Sequence, residues 1–309
     1  MANFRGYFSQ VLLILFVLWC GLARAAEFPL PPPGDDIIGK IQTAVVQKGD
    51  NFAMVAQRYD VSYYGLVESN PSVDPDNPPL GTVLVIPSQY ILPAVPRHGI
   101  VVNVAELRLY YFPSGESVVY TYPVGIGRED WETPLGQLKI VQKIPNPTWY
   151  VPESIRKSRA ADGVDLPKFV PPGPDNPLGD FALRLSKWTY LIHGTNDPTG
   201  VGRRSSSGCI RLYPNDIIQL FNMAKVDLGV QIINVPYKAG WQDHQLYLEA
   251  HLPLEEQLAI MNGKVDSIVK NSVNHVVKHL PATIDWDKAN RLAEQHMGIP
   301  EVIGQVGEQ

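Results

Sequence analysis

Twenty-eight prolines and twenty-five glycines, spread along most of a 309-residue chain, leave few uninterrupted stretches long enough for helices. Proline removes a backbone donor and clashes inside a helix, and glycine weakens the interiors of helices and strands alike. The texture that remains is short strands joined by turns. Between residues 98 and 236, "IVVNVAELRLYYFP", "SVVYTYPVGIG", "GQLKIVQKI", "FALRL", "TYLIHG", "GCIRL" and "VQIINV" supply such strands. The first reads as two strands about Ala105-Glu106, and the third turns Leu138, Ile140 and Ile144 towards one face. One amphipathic helix interrupts them at residues 214–225, with Pro214 in its first turn. Many strands with a single helix predict a mainly β domain, a closed or nearly closed β-sandwich.

The amino end sets the expected compartment. Arg5, an apolar run over residues 11–19 and the small-x-small site Ala23-Arg24-Ala25 have the layout of a cleavable export signal over residues 1–25. The apolar run is shorter than the ~20 residues a spanning helix needs. Cleavage would remove Arg5 and Arg24, moving the formal charge from −5 to −7, and would leave Cys209 as the sole thiol. A chain without a basic patch is a poor partner for nucleic acid. A lone cysteine in an exported protein cannot form an internal disulfide, so either its chemistry or its use as a small buried apolar residue must explain it.

Three further regions flank or interrupt the strands. Residues 26–42, with "FPLPPPGDD", read as a stiff linker. In residues 43–88, "TAVVQKGD" and "GTVLVIP" read as strands about two helices. Phe52, Val55, Ala56 and Tyr59 share one helical face, and Ser62 caps the second helix, which ends at Asn70-Pro71. This small α+β module resembles the LysM domain in "VVQKGDNFAMVAQRY", "LVESNP" and "GTVLVIP", and the resemblance implies binding of N-acetylglucosamine-containing glycan strands. Residues 145–180 are too long and proline-rich for an ordinary connection and read as a lid, with Trp149 and Tyr150 as its aromatic anchor. Residues 240–309 change character: Leu258, Met261, Val265, Ile268, Ser272, Val273, Val276 and Leu280 roughly follow helical spacing, a C-terminal helical extension packed on the rest.

The stretch "HGTNDPTGVGRRSSSGCIRL", residues 193–212, concentrates the chemistry. His193 ends one strand, Cys209 opens another, and the loop between them is long enough to set imidazole against sulfur. A thiol attacks as thiolate, so it needs a base or a field that lowers its ordinary pKa of about 8.5. Gly208 permits close backbone approach, and the amides of Ser207, Gly208 and Cys209 could converge on an oxyanion. Arg211 would share a sheet face with Cys209. On residues alone the alternatives stay open: a core histidine, a surface ion pair at Arg211, or a serine nucleophile among Ser205, Ser206 and Ser207, although no glycine–x–serine–x–glycine elbow is present. A metal site from His193, Asp197 and Cys209 lacks a second histidine.

"IHGTN" followed by "SSGCIRL" resembles the signature of the YkuD-type L,D-transpeptidases, and "GIVVNVAELRLYYFP", "YPVGIGRE" and "NPTWYVPESIR" are similar to the periplasmic ErfK-like group, which carries a LysM module in front. The resemblance spans about residues 43–240. It implies a β-sandwich with a cysteine nucleophile, Cys209, beneath a mobile flap, a base at His193, and the carbonyl of Gly194 orienting the imidazole. Arg211 would help hold the active-site strand or the substrate, and the motif serine Ser206 would join Ser207 and Gly208 as an oxyanion or substrate contact. Many members carry histidine where this chain has Ser207, which leaves His193 as the sole nearby imidazole. The implied reaction is acyl transfer from peptidoglycan tetrapeptide stems, releasing D-alanine, to a diaminopimelate amine or to the lysine of a Braun-type lipoprotein. No metal or organic cofactor is implied, and carbapenems would acylate Cys209.

Overall fold

The computed structural model describes residues 26–261, 263–278 and 280–307; the expected export signal and Cys20 lie outside them. No described helix is long and apolar enough to cross a membrane.

The LysM module forms from the pattern read in the sequence. Strands Gln42–Val45 and Val83–Ile86 pair antiparallel beside helices α1 (Phe52–Tyr59) and α2 (Tyr63–Ser69). Asn51 caps α1 by accepting from the Met54 amide at 3.0 Å, and Ser62 Oγ caps α2 by accepting from Gly65 at 3.0 Å. Such caps satisfy amide groups that the first helical turn leaves without partners. Phe52, Val55, Ala56, Leu66, Leu84 and Ile86 bury the shared apolar face.

The central domain is built on a nine-stranded sheet. Its order is Ala26–Pro29, Val118–Pro123, Arg108–Phe112, Gly99–Asn103, Gly229–Ile233, Gly136–Pro145, Phe181–Leu185, Leu191–His193, Ile210–Arg211. Strands Gly99–Asn103 and Arg108–Phe112 are buried along their whole length because both faces are covered. Ile100, Val102, Leu109 and Tyr111 face the main core, while Val101, Tyr110 and Phe112 face a second cluster with Ile38, Tyr90 and Leu92. This explains why those strands read as continuous apolar runs instead of alternating.

The ten-residue strand Gly136–Pro145 turns the corner of the sandwich. Residues 136–139 pair with Gly229–Ile233, residues 140–145 with Phe181–Leu185, and the register shifts between Ile140 and Gln142. A bulge is the ordinary device for bending a strand from one layer into the other. The free edge is nearly closed, since Gly125 and Arg211 exchange backbone hydrogen bonds at 2.8 and 2.9 Å. Helix α3 (Glu153–Ala161) lies within the 145–180 segment, and α4 (Pro214–Met223) packs Ile217 and Leu220 into the main core.

Two flanking regions depart from expectation. The proline-rich lead is not a free linker: Ala26–Pro29 forms the edge strand of the large sheet and Ile37–Gly39 pairs with Gln89–Ile91. Proline is tolerated at an edge, where no neighbour needs its missing amide. At the carboxyl end the expected helices are present as α5 (Glu255–Met261), α6 (Val265–Val277) and α7 (Trp286–Gln295), but they cover a four-stranded sheet. Its first hairpin, Tyr237–Gln242 with Gln245–Ala250, turns through Asp243 and His244 at φ 49° and 65°. That conformation is usually signalled by Asn-Gly or Asp-Gly, and neither is present.

Buried charges join the three units. Lys238 Nζ contacts Glu106 and lies 2.9 Å from Glu249, and His251 reaches Glu249 at 2.7 Å and Glu68 of the LysM module at 3.4 Å. Burial pulls the His251 pKa down, but its hydrogen bonds to Glu249 and Glu68 and their charges outweigh that and hold it at about 9. A folded pKa above the ordinary 6.5 stabilises the fold fully below pH 6.5 and loses that contribution as pH rises through 9. The unfolding free energy from urea melts should therefore fall by roughly 3 kcal/mol across that window, and His251→Gln should flatten the slope.

Candidate active site

The site begins with the last two strands of the large sheet. Leu191–His193 and Ile210–Arg211 run parallel, with Ile192 opposite Ile210 and His193 opposite Arg211. Side chains two apart share a face, so His193 and Arg211 fall on the same face as Cys209, which precedes the strand. Parallel neighbours need a crossover connection, and residues 194–209 provide it.

His193 is 3% exposed. Its Nδ1 lies 2.6 Å from the Gly194 carbonyl oxygen. A carbonyl only accepts, so Nδ1 carries the proton and Nε2 presents a lone pair. Burial, reinforced by the Arg211 charge and opposed by the Gly194 and Leu178 carbonyls, lowers the imidazole pKa to about 3. His193 is thus neutral, in the tautomer a base requires.

Cys209 is half-buried, and the Trp149 side chain packs with it against Leu178, Ala182 and Leu191. Burial raises the thiol pKa, against the pull of the Leu191 backbone and the charges of Arg211 and Arg184. The expected sulfur–imidazole contact is not made in this resting geometry. Sγ points to the Thr189 carbonyl at 3.9 Å instead, and no Sγ–His193 hydrogen bond forms among the described residues. The two groups sit diagonally across a strand pair, and catalytic hydrogen bonds commonly tighten only once substrate is bound.

The turn before the cysteine is organised by side chains. Ser206 Oγ donates to the Cys209 carbonyl at 2.6 Å and accepts from the Gly208 amide at 3.1 Å. Ser206 therefore shapes the turn, and its hydroxyl already engages the Gly208 amide. The donors left in this turn are the amides of Ser207 and Cys209. Gly208 has φ +98°, and a Cβ there would sit 2.7 Å from the Tyr190 ring, so glycine is required. Thr133, which the sequence did not single out, accepts from the Gly127 amide at 2.9 Å and donates to the Gly208 carbonyl at 3.1 Å.

A cleft of about 590 Å³ opens beside Ser207, lined also by Glu129, Asp130, Glu132, Lys187 and Tyr190. The 145–180 segment forms a separate hairpin. Trp149–Tyr150 pairs with Phe169–Val170, and buried Asn176 pins the base by donating to the Pro147 carbonyl at 2.8 Å. Trp149 reaches the cysteine cluster, whereas Tyr150 is 74% exposed and meets the Phe169 ring at a tilt of 45°. Asp197 uses its carboxylate on Thr199, accepting from the amide at 3.1 Å and the hydroxyl at 2.6 Å.

The family models for the YkuD L,D-transpeptidase catalytic domain and for the LysM domain match residues 97–233 and 44–87. "Probable L,D-transpeptidase YcfS" of Escherichia coli K12 is 44% identical over 242 residues, covering 76% of each chain. The chain belongs to the L,D-transpeptidase family. "Probable L,D-transpeptidase ErfK/SrfK" of Salmonella typhimurium LT2 is 39% identical over 89% of this chain and 90% of that one. The catalytic domain of an E. faecium L,D-transpeptidase, solved by NMR, aligns over 46% of this chain and all of its own at 19% identity, with a TM-score of 0.36.

Arg211 is the charge that most directly favours the Cys209 thiolate from its own strand. Arg211→Gln should move the pH profile of Cys209 alkylation by iodoacetamide to higher pH. An unchanged profile, followed by intact mass, would remove Arg211 from the site's electrostatics.

Proposed function

We propose that this chain is a periplasmic, cysteine-dependent L,D-transpeptidase acting on peptidoglycan, with Cys209 as nucleophile and His193 as base. The reading is carried by the parallel pairing of Leu191–His193 with Ile210–Arg211, which sets a neutral imidazole and a thiol on one face of adjacent strands.

The chemistry follows from that placement. Rotation of Cys209 towards Nε2 lets His193 take the thiol proton as sulfur attacks the L-diaminopimelate carbonyl of a tetrapeptide stem. The oxyanion would be met by the amides of Ser207 and Cys209. Collapse breaks the amide bond, and D-alanine leaves with the proton held by His193. An acceptor amine, losing its proton to His193, then attacks the thioester, forms the new amide and returns Cys209 as a thiol. No step requires a metal or organic cofactor.

The acidic lining of the cleft supports an amine-bearing acceptor. Glu129, Asp130 and Glu132 line the cleft beside Ser207, and their charge favours an ammonium-bearing chain end. Both a diaminopimelate side chain and the lysine of a Braun-type lipoprotein meet that description. The LysM module would hold the glycan strand while the Trp149 hairpin covers the stem peptide, with residues 1–25 as the export signal.

Incubation with purified tetrapeptide muropeptides should yield crosslinked dimers and free D-alanine. Tripeptides alone would mean that water resolves the thioester and the enzyme is a carboxypeptidase. Addition of the lipoprotein separates the two acceptors by which conjugate accumulates. Meropenem should add its mass to the wild type and not to Cys209→Ala, and an adduct that persists in the variant excludes the thiol as nucleophile.

A further inference from the structure

The crossover between His193 and Cys209 is held from outside the catalytic domain, by both flanking units. On one side is α2 of the LysM module. The Tyr64 amide donates to the Gly202 carbonyl at 3.1 Å, and the Arg203 guanidinium lies over the buried Tyr63 ring at 3.3 Å. The approach is backbone against backbone: Gly202 has φ +72°, and a Cβ there would fall 2.2 Å from the Tyr63 nitrogen. On the other side is α5 of the carboxyl-terminal unit, where Glu256 takes Arg204 in a two-point ion pair at 2.8 and 3.2 Å. Two consecutive arginines thus point to two different modules.

We infer that the LysM module positions the nucleophile of its neighbour, with Tyr63 and Arg203 as positioning residues for Cys209. This rests on Cys209 being the nucleophile. The path is short and continuous. Arg203 and Ser206 bond through their carbonyls to the Ile126 and Arg128 amides, each at 3.0 Å, fixing the strand Arg204–Ser206. Ser206 then holds the Cys209 carbonyl at 2.6 Å.

Helix α2 is itself braced at its far end, where Glu68 meets His251 at 3.4 Å and Ser69 donates to the Met297 carbonyl at 3.1 Å. It therefore acts as a strut between the carboxyl-terminal unit and the crossover. Apart from the strand Arg204–Ser206, the crossover contains only the short turn Pro198–Gly200 as regular structure. The strut adds to the bonds from Ile126, Arg128, Thr133 and Glu256 that keep Ser206 and Cys209 in register with His193. A misplacement of about 1 Å at a reacting group can cost on the order of a hundredfold in rate.

The test uses the full chain with Tyr63→Phe, Tyr63→Ala and, as a stability control, Leu248→Ala in the core of the carboxyl-terminal unit. Each is assayed for melting temperature, meropenem acylation of Cys209, muropeptide turnover and alkylation by iodoacetamide across pH. Tyr63→Phe keeps the ring under Arg203 and should match the wild type. Tyr63→Ala should slow acylation about tenfold or more, lower kcat with KM unchanged, and alkylate faster at neutral pH as the loosened turn exposes the sulfur. Leu248→Ala should lower the melting temperature while acylating and alkylating normally.

Wild-type acylation and alkylation in Tyr63→Ala would overturn the inference, as would equal changes in Leu248→Ala. If the wild type is alkylated yet neither acylated nor active, the nucleophile assignment fails. The alkylation profiles of the two Tyr63 variants then decide alone whether the module positions this turn.

Discussion

Everything at the site depends on two short parallel strands, Leu191–His193 and Ile210–Arg211, lying side by side at the end of the large sheet. Parallel neighbours cannot be joined by a tight turn, so the chain must leave the sheet and return. That detour places His193 where one strand ends and Cys209 where the other begins. It also creates the site's weakness, an irregular crossover that must be held by side chains. Thr133 and Ser206 hold its last turn, and the arginines at 203 and 204 tie its middle to other units.

Burial then sets the resting state of the chemistry. The same desolvation lowers the imidazole of His193 to about 3 and raises the thiol of Cys209, so each group is disfavoured in its charged form. A thiolate–imidazolium pair is not the stable state of this pocket, and Arg211 opposes only part of the cost to the thiolate while disfavouring the imidazolium. Under the proposed mechanism, a neutral thiol beside a neutral imidazole would leave the pair idle until a carbonyl gives the sulfur somewhere to go. The sulfur turned to Thr189, without a bond to His193, is the geometric counterpart of that electrostatic state.

How much was legible in the sequence follows from which contacts are local. The cap at Ser62, helix α4 behind Pro214 and the short strands depend on neighbours a few residues away, and they lie where the pattern places them. The return of the chain that brings the His193 and Cys209 strands side by side was readable from strand ends and a long loop between them, but the sulfur–imidazole contact expected from it is not made. Residues whose roles depend on distant partners were silent. Thr133 is ordinary until Gly127 and Gly208 close on it, Asn176 until the hairpin base folds around it, and the acidic cleft until residues 129–132 meet Ser207. Ser206 was legible as part of a motif but not in its role, because serine serves equally as a turn former and a substrate contact. The carboxyl-terminal sheet was hidden by a hairpin turn without its usual residues and by helices whose periodicity dominated the region.

The buried charges between units make the same point about the molecule as a whole. Lys238 and His251 of the carboxyl-terminal unit sit beside Glu249 and, from the central domain, Glu106, all buried, and His251 also meets the partly exposed Glu68 of the LysM module. Buried ions stabilise a structure only when each has its partners; remove one unit and the charges of the others remain desolvated and unpaired. An apolar interface would tolerate loosening, since partial contact retains partial burial. A charged one favours complete assembly or separation. The LysM module of this chain is therefore tied to the carboxyl-terminal unit by the Glu68–His251 pair as well as by the Ser69–Met297 hydrogen bond, and to the crossover by the Tyr64–Gly202 bond.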